Sequence, residues 1–159
     1  MSYRRGGVAT VVIKDAGVWA TGETLEDLSV YAMSEGAEGY DVDEVRLCTC
    51  AACGGQVFGL HGDLEEQAAK RICRGCGAAH FIADSGEYWD DDRFGIMVCE
   101  CDGDGDEEDF NLAVGYSLYA DRAGIRALAI TSRCVACNRL GHWDDWMIRT
   151  GDLGLLDLA

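Results

Sequence analysis

The chain contains no proline, and lysine supplies only two of its 13 cationic side chains, the other 11 being arginine. Proline ordinarily makes up about 5% of a protein. Abundant arginine, alanine and glycine point to a GC-rich genome, but such a genome favours proline too, so base composition does not explain the gap. No run approaches the roughly 18 apolar residues that a membrane helix needs, so no membrane-spanning helix is expected in this sequence. The start, Met1-Ser2-Tyr3-Arg4-Arg5-Gly6-Gly7, lacks the apolar stretch of a signal peptide. The cytoplasm is therefore the expected location. H-E-x-x-H, G-x-S-x-G, P-loop and G-x-G-x-x-G signatures are all missing. The expectation is a non-enzymatic protein with no catalytic residues and no organic cofactor.

Positive charge is scarce. Against 13 Lys and Arg stand 29 Asp and Glu, a formal net charge of −16. Nucleic-acid affinity rests on basic side chains that displace counterions from phosphates, so a nucleic-acid partner is not expected. A protein partner is, and a basic one suits the charge. The plainer reading is that acidity only keeps the chain soluble. Hydrophobic residues at 48% and charged ones at 26% describe a globular chain and exclude disorder as its main state. A length of 159 residues allows one domain or two small ones.

Cysteine is what the chain has in excess. The nine fall in four clusters: Cys48-Thr49-Cys50-Ala51-Ala52-Cys53, Cys73-Arg74-Gly75-Cys76, Cys99-Glu100-Cys101 and Cys134-Val135-Ala136-Cys137. A two-residue gap lets both sulfurs of a pair reach one metal ion about 2.3 Å away. Gly54, Gly55, Gly75 and Gly77 flank these pairs and supply the backbone freedom of a tight turn. Disulfides compete with this reading, but an odd count strands one thiol and disulfides belong to oxidising compartments. Two structural zinc ions are the expected cofactors, with iron or an iron–sulfur cluster as the minor alternative for an all-sulfur site.

The clusters repeat. Cys50…Cys53, Phe58, Cys73-x-x-Cys76 and Tyr88-Trp89 are echoed by Cys99-x-Cys101, Phe110, Cys134-x-x-Cys137 and His142-Trp143-Asp144-Asp145-Trp146. Phe110, Leu112, Val114, Tyr116 and Leu118 alternate with smaller or polar residues, the period of a strand. Asp121-Arg122-Ala123-Gly124 signals a turn. Ile125–Thr131 then returns, with Ile125, Ala127, Ala129 and Thr131 on one face and Arg126, Leu128 and Ile130 on the other. By the repeat, Gln56–Leu60 and Ala68–Ile72 form the matching hairpin around a turn at Gly62–Glu66, although residues 64–70 alone read as helical.

This order of knuckle, hairpin and knuckle resembles the zinc-ribbon, or rubredoxin-like, class, twice in tandem over residues 47–89 and 97–148. The resemblance implies one metal site of Cys50, Cys53, Cys73 and Cys76 and a second of Cys99, Cys101, Cys134 and Cys137. The one-residue gap between Cys99 and Cys101 departs from the class. Cys48 is either an alternative to Cys50 or Cys53 or an ordinary buried thiol. The expected fold is a small, β-rich, metal-stabilised α+β protein: an N-terminal strand and helix segment (1–46), a first ribbon (47–95), and a second ribbon with a C-terminal tail (96–159).

In the first segment, Val8–Ile13 reads as a strand. Thr24-x-x-Asp27 reads as a helix N-cap, opening a helix from Leu25 to about Glu35 with Leu25, Leu28, Val30, Tyr31 and Ala32 as its buried stripe and the first ribbon as its support. His80, four residues after Cys76, is either a contact of the first site or a structural histidine; His61 and His142 are the other two. Asp102–Asp109 fails the EF-hand spacing, which asks for glycine at Glu107 and glutamate at Ala113, and reads as a solvated acidic loop. The aromatic and acidic tails have two readings, packing between ribbons or an exposed protein-binding rim. The expected role is a zinc-binding adaptor or regulator, with a thiol-based redox or metal sensor and a metal-dependent enzyme as alternatives.

Overall fold

The computed structural model describes residues 2–5, 10–12, 20–63, 65–101, 105–148 and 152–159, with side chains from residue 20 on. These residues form one short helix and a mostly antiparallel sheet. The strands are β1 (Ser2–Arg5), β2 (Thr10–Val12), β3 (Glu44–Leu47), β4 (Phe58–Asp63), β5 (Ala68–Cys73), β6 (Ala79–Phe81), β7 (Phe94–Cys101), β8 (Gly105–Glu107), β9 (Phe110–Leu118), β10 (Ile125–Cys134) and β11 (Leu140–Met147). Of the strand expected over Val8–Ile13, Thr10–Val12 is β2, and residues 8, 9 and 13 lie outside the described residues. The sheet runs β11-β10-β9-β4-β7-β1-β2, with β3 beside β9, β5 and β6 beyond β4, and β8 beside β7.

Both expected β-hairpins form, the first with shifted bounds: β4 starts at Phe58 and not at Gln56, and Gly62 and Asp63, expected in the turn, are strand. β4 pairs with β5 from Phe58↔Cys73 to Asp63↔Ala68, so residues 68–70 are strand and not helix; Leu64 lies outside the described residues. Gln67 takes φ +54° to close that turn. β9 pairs with β10 from Cys134↔Phe110 to Ile125↔Leu118. Asp121 Oδ1 accepts from the Ala123 amide at 3.0 Å, and Arg122 sits at φ +55°. One face assignment on β10 is corrected. A bulge between Ile125 and Ala127 adds a residue, which moves Ile125 to the core face of Leu128 and Ile130.

Helix α1 (Leu25–Ser34) starts in a capping box: the Asp27 amide donates to Thr24 Oγ1 at 3.1 Å, and the Thr24 amide donates to Asp27 Oδ2 at 3.0 Å. Its support differs from the expectation. Leu28 and Ala32 pack with Ala113 of β9 and Leu140 of β11, on the second half of the chain. The reason lies in small residues: a Cβ on Gly115 would stand 3.1 Å from Val42 and 3.5 Å from the Ala32 carbonyl, so this face of β9 lets chain approach closely. Val30, expected in the buried stripe, is 62% exposed.

The principal core lies on the other face of β9. Phe110, Leu112, Val114, Tyr116 and Leu118 pack there with Phe58, Leu60, Met97, Trp143 and Trp146. The tryptophans of the second aromatic tail are thus core residues and not an exposed rim. Trp146 Nε1 donates to Asp84 Oδ1 at 3.4 Å, joining the two tails. No helix of the described residues is long and apolar enough to cross a membrane.

Candidate metal centres

Three of the four cysteine pairs share one turn. The Cys50 amide donates to the Gly55 carbonyl, and the Gly54 amide donates back to the Cys50 carbonyl, each at 2.8 Å. Cys73 repeats this with Ala78 and Gly77, and Cys134 with Arg139 and Asn138. The residue after the second cysteine is left-handed each time: Gly54 and Gly77 at φ +76°, Asn138 at φ +63°. Glycine and asparagine are the residues that enter this region at low cost.

The fourth pair uses a different device. Cys99 and Cys101 lie within β7, where residues two apart point to the same face. A one-residue gap in a strand thereby does what a two-residue gap does in a turn. The apolar run Ile96-Met97-Val98 just before Cys99 was the sequence signal for this strand. The buried Arg139 braces it, its Nη1 donating to the Glu100 carbonyl at 3.1 Å.

These elements collect the sulfurs of Cys50, Cys53, Cys73 and Cys76 in one place and those of Cys99, Cys101, Cys134 and Cys137 in another, all within 4.8 Å of one another in each group. In the first, Cys50–Cys76 measures 3.6 Å and Cys53–Cys73 3.5 Å. In the second, Cys99–Cys137, Cys101–Cys134 and Cys99–Cys101 measure 3.6, 3.7 and 3.9 Å. A tetrahedron with Zn–S bonds of about 2.3 Å has edges of about 3.8 Å, whereas a disulfide holds its sulfurs about 2.0 Å apart. None of the nine cysteines forms a disulfide. Each group therefore fits one metal ion. Gly55 leaves room for it, since a Cβ there would stand 3.2 Å from Cys73 Sγ and 3.3 Å from Cys53 Sγ.

Within each group one cysteine is drawn toward the thiolate and another is held back from it. The Cys53 backbone amide, aided by His80, pulls Cys50 down to about 5. A hydrogen bond from Cys99 pulls Cys134 down to about 5. Cys53 is helped by the Gly55 amide, but its thiol neighbours outweigh that and push it up to about 12. Burial, followed by the neighbouring sulfurs, raises Cys101 to about 12. Four thiolates at such spacing require a multivalent cation among them.

The groups differ in exposure. Cys53 and Cys76 are exposed, while Cys99, Cys101 and Cys134 are buried. Cys48 belongs to neither: it is 2% exposed, and burial raises its thiol to about 12. His80 Nε2 lies 3.6 Å from Cys50 Sγ. His61 stacks on Phe94 at 4.9 Å, and burial lowers it to about 4. His142 stands between Glu35 at 3.2 Å and Asp145 at 3.6 Å. Neither a family model, nor a curated protein, nor a solved structure matches this chain.

Proposed function

We propose that the chain binds two zinc ions in tandem ribbon-like units and acts as a non-enzymatic adaptor or regulator through protein contacts. The observation that carries this reading is the pair of four-thiol groups with tetrahedral edges. Such a shell is closed: all four positions belong to the protein, which leaves none for water or substrate, the mark of a structural zinc site. Zinc is the usual occupant of a structural Cys₄ shell.

Eight thiolates and two divalent ions take the formal charge from −16 to −20, which suits a basic protein partner and not a nucleic acid. With Trp143 and Trp146 in the core, Tyr40 and Tyr119 are two of the exposed aromatics, and their rings flank Arg126 at 4.3 and 5.3 Å. Capture with the zinc-loaded chain at physiological salt is expected to retain a basic protein, and Tyr40→Ala with Tyr119→Ala to release it. Recovery of no basic partner would sink the adaptor reading.

The difference in exposure favours a second reading, a thiol-based redox or metal sensor seated in the first group. Peroxide would oxidise the exposed Cys53 and a neighbouring thiolate to a disulfide, reduce itself to water and free that ion. Stoichiometric release of one zinc, reversed by dithiothreitol and added zinc, is the result this reading needs.

A further inference from the structure

Arg71 stands on β5 directly opposite His80 on β6 and is only 4% exposed. Its Nη2 donates to the Thr49 carbonyl at 3.3 Å, and its guanidinium carbon lies 4.6 Å from the Phe58 ring centre. Its Nε and Nη1 are buried and have no acceptor. Among the described residues, no carboxylate comes within ion-pair distance of it. A buried cation without a counter-charge is strongly unfavourable. Water would accept its hydrogen bonds but leave the charge in place.

Arg71 also lines an open cleft of about 540 Å³, within the range of small-molecule sites. Phe81, Leu155 and Leu158 give it apolar walls, and Phe81 and Leu158 are 40% and 47% exposed. Asp84, Glu87 and Asp157 lie on the same lining. Those carboxylates oppose any anion, and one of multiple charge such as phosphate more than a monocarboxylate, while one carboxylate suffices to neutralise one guanidinium.

We propose that this cleft binds a monocarboxylate carried on a small apolar body, its carboxylate meeting Arg71 and its body lying on Phe81, Leu155 and Leu158. The cleft adjoins the first metal group, since Ala51 of its knuckle and His80, 3.6 Å from Cys50 Sγ, are on the lining. The competing source of compensation is the first metal group, whose four thiolates around a divalent ion would leave two negative charges. If that group alone offsets Arg71, the cleft has no ligand to bind.

The test is calorimetric titration of the metal-loaded full chain with hexanoate, acetate and phosphate, at ionic strength held constant with chloride. Hexanoate is expected to saturate at one per chain and to bind at least about tenfold tighter than acetate, because its extra methylenes gain the apolar walls. Phosphate is expected not to saturate. Leu158→Glu alters an exposed position, so the fold should survive, and it should weaken hexanoate by about tenfold or more at unchanged metal content. Arg71→Met should abolish binding if it folds. Failure of hexanoate to saturate, phosphate binding more tightly than hexanoate, or unchanged affinity in Leu158→Glu would each overturn the proposal.

Discussion

Phe58 and Phe110 face one another directly across the pairing of β4 with β9, and neither has any solvent exposure. Each is also paired, on its other edge, with the first cysteine of a knuckle: Phe58 with Cys73, Phe110 with Cys134. The third strands keep the same register. Ile72, just before Cys73, faces Ala79, and Arg133, just before Cys134, faces Leu140. The chain has thus built one three-stranded unit twice and joined the copies at their equivalent phenylalanines. Truncating either ring should cost about 3–5 kcal/mol through lost burial and a residual cavity. Denaturant unfolding of Phe58→Ala and Phe110→Ala with both metals bound measures this, and losses below about 1 kcal/mol would mean that the junction does not bind the units together.

The knuckle conformation gives a second prediction. Gly77 is left-handed, with nothing within 4 Å of an added Cβ, and Asn138 occupies the same place in the other unit. Gly77→Asn should therefore be tolerated, while Gly77→Val should lose about 1–2 kcal/mol from backbone strain alone. Equal thermal shifts for the two variants would contradict this account of the turn.

Gly55 tests the room left for the ion. Its added Cβ would crowd Cys53 and Cys73, so Gly55→Val should weaken metal at the first group by about tenfold or more and leave the second untouched. Competition with a chromophoric chelator reads the two sites separately; equal loss at both would show that the effect is global.

Asp144 gives a pH dependence. Burial raises its carboxyl to about 6 from an ordinary value of 3.8. A folded-state value above the unfolded one means stability that is fully present below about pH 3.8 and is lost as pH rises through about 6. Asp144→Asn keeps an acceptor for the Asp145 amide, which donates to it at 2.9 Å, and removes the half-buried charge. The variant should melt higher than the parent above pH 6.5, with the advantage shrinking as pH falls toward 5. An advantage independent of pH would rule out the half-buried charge as its cause.

Much of the fold and of the candidate site was legible because the signals were local. Alternation placed β9 on its bounds, Thr24 and Asp27 announced the helix start, and the knuckle glycines marked two of the left-handed turns. The repeat overrode the helical look of residues 64–70, and the hairpin formed. What escaped was set by distant parts of the chain. The support of α1 depends on Gly115 and Ala113 offering a shallow face, which no pattern within the helix reveals. For Trp143 and Trp146 the choice between packing and an exposed rim is made only by β11 closing over the core, which decides for packing. The β4–β9 junction rests on two phenylalanines 52 positions apart in the sequence. Arg71 gave no signal at all, since a buried cation in a strand of Ala-Ala-Lys-Arg-Ile-Cys looks solvent-facing.

The central claim is that eight cysteines hold two metal ions and that Cys48 holds none. Native mass spectrometry with elemental analysis, on protein expressed without added metal and then alkylated before and after unfolding, tests it most directly. The account predicts two zinc ions per chain, no modification of the buried Cys48 while the protein is folded, and one additional alkylated thiol once it unfolds with its metal retained at partial denaturation. One ion or none, iron in place of zinc, or ready alkylation of several cysteines in the folded protein would contradict it.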